Sequence, residues 1–329
     1  MKGLLVSLLS LASLAAGAPS QRRQDAVTPQ QLNNFKLYAQ WSAAAYCNSE
    51  KAAGEPVTCN LDQCSMFASH NASVVASFTG LVTDMRGFVG VDPVDKKIVV
   101  SFRGSTSVRN WIADFVFVQV PCTDLTAGCL AHVGFMASWG EIALRVIAAV
   151  RTAKAANPSY QVVVTGHSLG GSVGLLAAAY IRKAGIPADL YTYGAPRVGN
   201  TAFVKFVTVQ PGAEYRITHT VDPVPRLPPI IANFRHTSPE YWIDQGSDEV
   251  VTLDEVDVCG GYSNTNCNGG TKGLEMDAHG WYFQRLNGCS TGETPFKREI
   301  SDAELEAKLN MYVDLDVTVA ENLHAEGQS

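Results

Sequence analysis

The sequence predicts an α/β protein with a mostly parallel central sheet and helices on both of its faces. Three observations carry that prediction. Strand-like and helix-like segments alternate through the middle of the chain, the order that parallel strands joined by crossover helices require. The run Tyr160–Thr165, dense in valine, passes straight into Gly166 and then into an alanine- and leucine-rich helical segment. The 329 residues, at 46% hydrophobic composition, can fill one large core, and no linker or repeat divides them.

Taken from the start, Lys2 precedes an apolar run from Leu4 to Ala15 that is too short to span a bilayer, followed by the small residues Ala16-Gly17-Ala18. That pattern predicts a signal peptide over 1–18 and hence a secreted, extracellular protein. Pro19 to Gln24 is polar and contains the dibasic pair Arg22-Arg23, which predicts a short pro-segment over 19–24. No later stretch has eighteen uninterrupted apolar residues, so no transmembrane anchoring is expected.

A single domain is expected over 25–289. In it, Lys97–Phe102 reads as a buried strand ended by Arg103-Gly104-Ser105, and Trp139–Ala156 as a helix with Ile142, Val146, Ile147 and Val150 on one face. Tyr160–Thr165 is the next strand and Gly170–Lys183 the next helix; Leu190–Tyr193 and Tyr215–Thr218 are further strands, the second ending at Asp222-Pro223. Residues 290–329 form a charged C-terminal extension of unreadable role, in which Ser301-Asp302-Ala303-Glu304 is a capping box opening a short helix.

The net charge is −6, and the first 24 residues carry only Lys2, Arg22 and Arg23, so the remainder is more acidic still. An extended polyanion is a poor ligand for such a surface, which excludes nucleic acid. The eight cysteines, an even number in an exported chain and none in a C-x-x-C pair, predict disulfides rather than a metal site. Cys59 with Cys64, Cys122 with Cys129 and Cys259 with Cys267 are close enough to close small loops, which leaves Cys47 with Cys289. A closure that long stabilises by roughly 4 to 5 kcal/mol as an upper figure. Asn71-Ala72-Ser73 is an N-glycosylation sequon and predicts a surface position.

Gly166-His167-Ser168-Leu169-Gly170 is a G-x-S-x-G motif between a strand and a helix, the context in which the motif signals a serine nucleophile raised above an α/β sheet. A turn that tight strains the serine and forbids bulk at its neighbours, hence Gly166 and Gly170. A serine hydroxyl needs a base to take its proton and an acid to hold that base in one tautomer. In α/β-hydrolases the acid and then the histidine follow the serine in sequence.

Four histidines follow Ser168: His219, His236, His279 and His324. His219 lies three residues before Asp222 at a strand end and reads as structural, while His324 lies in the charged tail. Between His236 and His279 the choice favours His279, which precedes the aromatic run Trp281-Tyr282-Phe283. Asp222 is favoured as the acid, because it follows a strand and is pinned by Pro223; Asp244, Asp248, Asp254 and Asp257 fall in an irregular acidic stretch.

An ester carbonyl under attack develops negative charge that two preorganised donors must meet. The backbone N–H of Leu169 is one expected donor, and Ser105, in the loop after the strand ending at Phe102, is the other. Just beyond, Val108, Trp111, Ile112, Phe115 and Val116 fall at i, i+3, i+4, i+7 and i+8, the apolar face of a short amphipathic helix. It reads either as a core helix docked permanently or as a lid over an apolar cleft that opens at an oil surface.

These residues together resemble the secreted filamentous-fungal triacylglycerol lipases of lipase class 3, over about Leu32 to Cys289. The likeness rests on Phe35–Cys47, Ser101-Phe102-Arg103-Gly104-Ser105, Gly166–Gly171, Tyr193–Gly199, and His219-Thr220 with Asp222 and Val224–Pro228. The resemblance implies an α/β-hydrolase with a short helical lid, nucleophile Ser168, acid Asp222, base His279, oxyanion donors Ser105 and Leu169, and Trp111 on the lid. It also implies the bridges Cys47–Cys289, Cys59–Cys64 and Cys122–Cys129, a lipid ester substrate at an oil–water interface, and no cofactor or metal. A related esterase acting on soluble or feruloyl-type esters is the alternative. The loop between Cys122 and Cys129 is longer than the family pattern, a departure expected to alter the cleft rim, whereas the extra tail is expected to sit away from the chemistry. Oligomeric state, acyl-chain preference and positional preference are not encoded in any motif.

Overall fold

The structure, a computed structural model, describes residues 26–60, 62–105, 107–289 and 300–326. The expected signal peptide and pro-segment, over 1–24, lie outside the described residues. β1 (Ser73–Thr79), β2 (Arg86–Asp92) and β3 (Lys97–Phe102) form an antiparallel meander. β4 (Gln119–Pro121) and β5 (Leu130–His132) make a separate two-stranded sheet. β6 (Gln161–His167), β7 (Ala188–Tyr193), β8 (Glu214–His219) and β9 (Glu240–Ile243) add to β3 in parallel, and β10 (Val256–Cys259) pairs antiparallel at the edge. Among the described residues the main sheet thus has eight strands, parallel through its centre, with antiparallel flanks.

Strand periodicity sorts the core into two layers. Along β3, Ile98, Val100 and Phe102 join Val162 and Val164 of β6 on one face, under α3 (Val133–Ala156), α4 (Leu169–Lys183) and α5 (Thr201–Thr208). Val99 and Val163 point to the other face, where α1 (Pro29–Asn48) lays down Phe35, Tyr38 and Trp41. A two-sided cover of this kind is what a parallel sheet needs. α3 is long and apolar enough to cross a membrane by composition, but Phe135, Trp139, Ile142, Val146 and Val150 are spent on the core.

The bounds of α3 and α7 differ most from the expected ones. α3 begins at Val133 rather than Trp139, because the side chain of His132 caps it, Nδ1 accepting the Gly134 N–H at 3.1 Å; histidine is not among the usual cap residues. The C-terminal helix α7 (Asp302–Ala325) does open on the Ser301/Glu304 capping box, but it is 24 residues long rather than short. One narrow stripe, Leu305, Leu309, Val313, Asp316 and Ala320, is buried, and the aspartate within it obscures the apolar pattern.

That helix does not sit away from the chemistry. Leu305 and Leu309 pack with Ile112, Val224 and Leu227, and Asp316 accepts from buried Arg197 Nη1 at 3.0 Å and from the Ile231 N–H at 3.1 Å. Conversely, the Cys122–Cys129 loop is held by Tyr180 and Lys183 at the end of α4 opposite Ser168, so it does not shape the rim beside the nucleophile. All four disulfides are formed: Cys47–Cys289, Cys59–Cys64, Cys122–Cys129 and Cys259–Cys267. Asn71 of the sequon is exposed in the turn before β1.

Candidate active site

β6 delivers the chain to Ser168, which adopts φ 56° and ψ −131° between the strand and α4. A side chain in that region of backbone space is strained, and the surroundings hold it there. The Ser168 N–H donates to Tyr193 O on β7 at 2.9 Å, while Ser168 O accepts from the Gly171 N–H at 2.9 Å. A methyl group at Gly166 would strike the Gly170 carbonyl, and one at Gly170 would strike that of Phe102, so both positions must be glycine. The hydroxyl therefore stands at the positive end of α4.

Asp222 lies just beyond β8 and His279 on the short helix α6 (Met276–Gly280). His279 Nδ1 stands 2.9 Å from Asp222 Oδ2 and 3.0 Å from Oδ1. A carboxylate only accepts here, so Nδ1 carries the proton and Nε2 presents its lone pair. Burial alone would raise the Asp222 carboxyl pKa. His279 and the hydrogen bonds from its ring, from Tyr282 Oη at 2.6 Å and from the Val224 N–H at 2.9 Å outweigh that and hold it below the ordinary value.

Two polar atoms remain over. Ser168 Oγ and His279 Nε2 are both buried without a hydrogen-bond partner, an uncommon condition that calls for a functional account. The His279 ring lies 4.6 Å, centroid to centroid, from that of His167, the residue directly before Ser168. The loop after β3 lies against the same serine, because a methyl group at Gly104 would come within 3.0 Å of Ser168 Cβ. Ser105 follows directly in that loop, and Leu169 opens α4 on the other side.

The model of the family described as Lipase (class 3) matches residues 99–232. A secreted mono- and diacylglycerol lipase of Fusarium solani is 50% identical over 324 residues, 95% of this chain and 97% of its own length. The chain belongs to the class 3 lipases. Among solved structures, a mono- and diacylglycerol lipase from Aspergillus oryzae matches with TM-score 0.76 at 39% identity, over 80% of this chain and all of that one. A triacylglycerol lipase described as having a serine protease triad at its catalytic centre matches with TM-score 0.71 at 35% identity, over 81% of this chain and 99% of that one. The fold is the α/β-hydrolase fold.

The other histidines and acids of this lipase are engaged elsewhere. His236 Nε2 faces Pro225 O at 2.8 Å, and burial together with Arg216 and Arg197 pushes its pKa well below the ordinary value. His219 faces two carbonyls, and His324 lies in the last turn of α7. Asp248 pairs with Arg285, and Asp244 lies among Asp257, Glu255 and Asp254, beyond reach of His279 Nδ1. His70, Asp92 and Asp95 gather ligand-type atoms within 4.8 Å, but at the opposite end of the sheet, where Asp92 stands opposite Lys97 in the β2–β3 ladder and its Oδ2 meets His70 Nδ1 at 2.8 Å. Asp92 Oδ1 there accepts the Val94 and Asp95 N–H groups and closes a turn.

The amphipathic segment forms a helix, α2 (Val108–Asp114), that ends before Phe115 rather than after Val116. Phe115 turns extended, its ring meeting Trp111 at 4.0 Å, His132 at 4.7 Å and Phe135 at 5.8 Å, while Val116 is exposed. Ile112 is buried, and Trp111 and Phe115 pack both on the main core and on the cluster shared with α7. The helix is two turns long and lacks a side-chain cap at Ser107, so contacts with the rest of the protein must sustain it. Arg109 of α2 donates from Nε to Asp302 Oδ1 at 2.7 Å and from Nη2 to Ile300 O at 2.9 Å.

Sequence reasoning assigns no role to several residues at this site. Tyr282 is visible only as part of an aromatic run. Gly194 has φ 56°, and a methyl group there would lie 2.8 Å from Asp222 Oδ2 and 3.0 Å from His279 Nδ1. It is legible only as one glycine in Tyr193-Gly194-Ala195-Pro196.

Proposed function

We propose that this protein is a secreted serine lipase that hydrolyses acylglycerol esters at an oil–water interface, with Ser168, His279 and Asp222 as its catalytic triad. The observation that carries the reading is the unpartnered pair of buried atoms: a serine hydroxyl on a strained elbow, beside an imidazole nitrogen whose other side is fixed by a carboxylate. Ser168 Oγ attacks the ester carbonyl as His279 Nε2 takes its proton, and Asp222 steadies the imidazolium. Charge on the former carbonyl oxygen is met by the Leu169 N–H and by Ser105, and removing one such donor costs about 2.7 to 4 kcal/mol. The protonated ring then gives its proton to the leaving alcohol, and water, activated by the same nitrogen, releases the fatty acid. No step calls for a metal or an organic cofactor.

In this reading α2 is a lid in its closed position. It supports that view that Ser168 has no exposed surface, and that Trp111, Ile112 and Phe115 would present an apolar face to lipid once lifted. The same residues disfavour soluble feruloyl-type esters. Triacylglycerol is the substrate expected from the sequence. The names of the Fusarium and Aspergillus relatives add mono- and diacylglycerols, which we take as the preferred substrates. Their names also support secretion, and an exposed Asn71 suits a glycan.

The test is fatty-acid release from dioleoylglycerol and trioleoylglycerol as each is raised through its solubility limit, with Ser168→Ala as the blank. A steep rise once emulsion appears, larger for the diacylglycerol, is expected. Saturation below the limit with no gain on emulsion counts against the lid, and a faster triacylglycerol rate counts against the preference.

A further inference from the structure

The base-bearing helix α6 has five residues, too few to satisfy its own last carbonyl groups. Two buried histidines from two different strands take up that task. Ala278 O stands 2.9 Å from His219 Nδ1 at the end of β8, and His279 O stands 2.7 Å from His167 Nε2 at the end of β6. A carbonyl oxygen only accepts, so a ring nitrogen that bonds to one does so through an N–H.

Each histidine is itself held from behind. His167 Nδ1, left with its lone pair, accepts from Tyr46 Oη at 3.0 Å, and burial, then His279, depresses the ring's pKa to about 3, so the ring stays neutral. His219 Nε2 also faces a carbonyl, Gln245 O at 2.8 Å in the chain beyond β9, so a neutral ring has one N–H for two acceptors and donates to both only as the imidazolium. Neither ring hydrogen-bonds to the free Nε2 of His279, and neither is needed to make the triad pattern complete.

We propose that His167 and His219 are positioning residues that clamp α6 by the carbonyls of Ala278 and His279 and thereby set the distance and tilt of His279 Nε2 relative to Ser168 Oγ. This rests on the triad reading above and extends it to residues that never meet the substrate. The sheet supplies both anchor points: β6 leads to the nucleophile and carries one clamp, β8 leads to the acid and carries the other. A shift in either strand therefore moves nucleophile, acid and base together. An attack geometry tolerates little error, and a displacement of about 1 Å can cost about 10²-fold in rate.

The experiment compares substitutions that remove the donor with ones that restore it. A glutamine amide reaches the place of a histidine Nε2 and an asparagine amide that of Nδ1. His167→Leu and His167→Gln, and His219→Leu and His219→Asn, are assayed in the full chain on p-nitrophenyl butyrate, with folding followed by circular dichroism. The leucine variants are expected to lose kcat by about 10²-fold with KM unchanged, and the amide variants to regain most of it. A folded leucine variant with wild-type kcat overturns the proposal, and so does an amide variant as slow as its leucine counterpart. Where His167→Leu does not fold, the His219 pair decides on the same criteria. Ser168→Ala in the same assay keeps the two claims apart: activity retained there refutes the triad reading itself, whatever the histidines do.

Discussion

Leu309→Ala tests whether α7 holds the lid shut. Leu309 is 3% exposed and shares one cluster with Ile112 of the proposed lid helix α2 and with Val224, Leu227 and Leu305, which lie outside that helix. Truncating a buried leucine to alanine costs about 2 to 5 kcal/mol in all. Only the share of that contact made with the lid changes the closed-to-open balance. Taking about a third of a mid-range loss gives about 1 kcal/mol, or about five-fold in the open population. The assay is hydrolysis of a p-nitrophenyl ester kept below its solubility limit, where opening rather than lipid contact limits the rate. The expected result is a rate about five-fold above wild type, with emulsion activity little changed. Asp302→Ala, which removes only the partly exposed Arg109 pair, is expected to give a smaller rise, because such pairs contribute about 0 to 1 kcal/mol. A soluble-ester rate that stays at the wild-type value while Leu309→Ala remains folded refutes the latch.

Other consequences are open to measurement. Asp222→Asn leaves the shape intact but frees the wrong tautomer of His279, and kcat is expected to fall by about 10⁴-fold in steady-state assays. Tyr282→Phe removes the 2.6 Å hydrogen bond to Asp222 Oδ2, so kcat/KM should fall by about ten-fold, a loss of about 1.4 kcal/mol; an unchanged value would remove Tyr282 from the account. Asp316→Ala leaves the buried Arg197 cation without its partner, and urea denaturation should report a loss of about 3 to 5 kcal/mol. His167 and His236 are held neutral by burial, with pKa values below the ordinary one, so the unfolded chain takes up protons below about pH 6.5 that the folded chain refuses. Stability should therefore decline as pH falls from 6.5, by up to about 1.4 kcal/mol per pH unit for each ring, and a flat denaturation midpoint from pH 7 to 5 would contradict this.

Much of the fold was legible because valine-dense strands leave a strong local signal: Lys97–Phe102 is β3 residue for residue, and the elbow at Ser168 has the strained backbone that its flanking glycines announce. The triad positions could be chosen because strand ends and the order of serine, acid and base narrow the field. What stayed hidden depends on contacts distant in sequence. Apart from His132, which caps α3 through the nearby Gly134 N–H and is an unusual cap residue, the place of α7 against α2 and the end of α2 at Asp114 are decided by partners far along the chain. The α7 stripe, interrupted by an aspartate, makes sense only once Arg197 stands opposite it. His167 and His219 look like a motif filler and a spare histidine until the carbonyls they face are seen.

The central claim is that Ser168 is the nucleophile of a lipase, and covalent labelling tests it most directly. The protein is treated with an alkyl p-nitrophenyl phosphonate in the presence of emulsified dioleoylglycerol, and the modified peptide is mapped by mass spectrometry as hydrolysis declines. One phosphonyl group per chain is expected, on Ser168, with activity lost in proportion to its incorporation. A label on another residue, or hydrolysis that persists after Ser168 is fully modified, would contradict it.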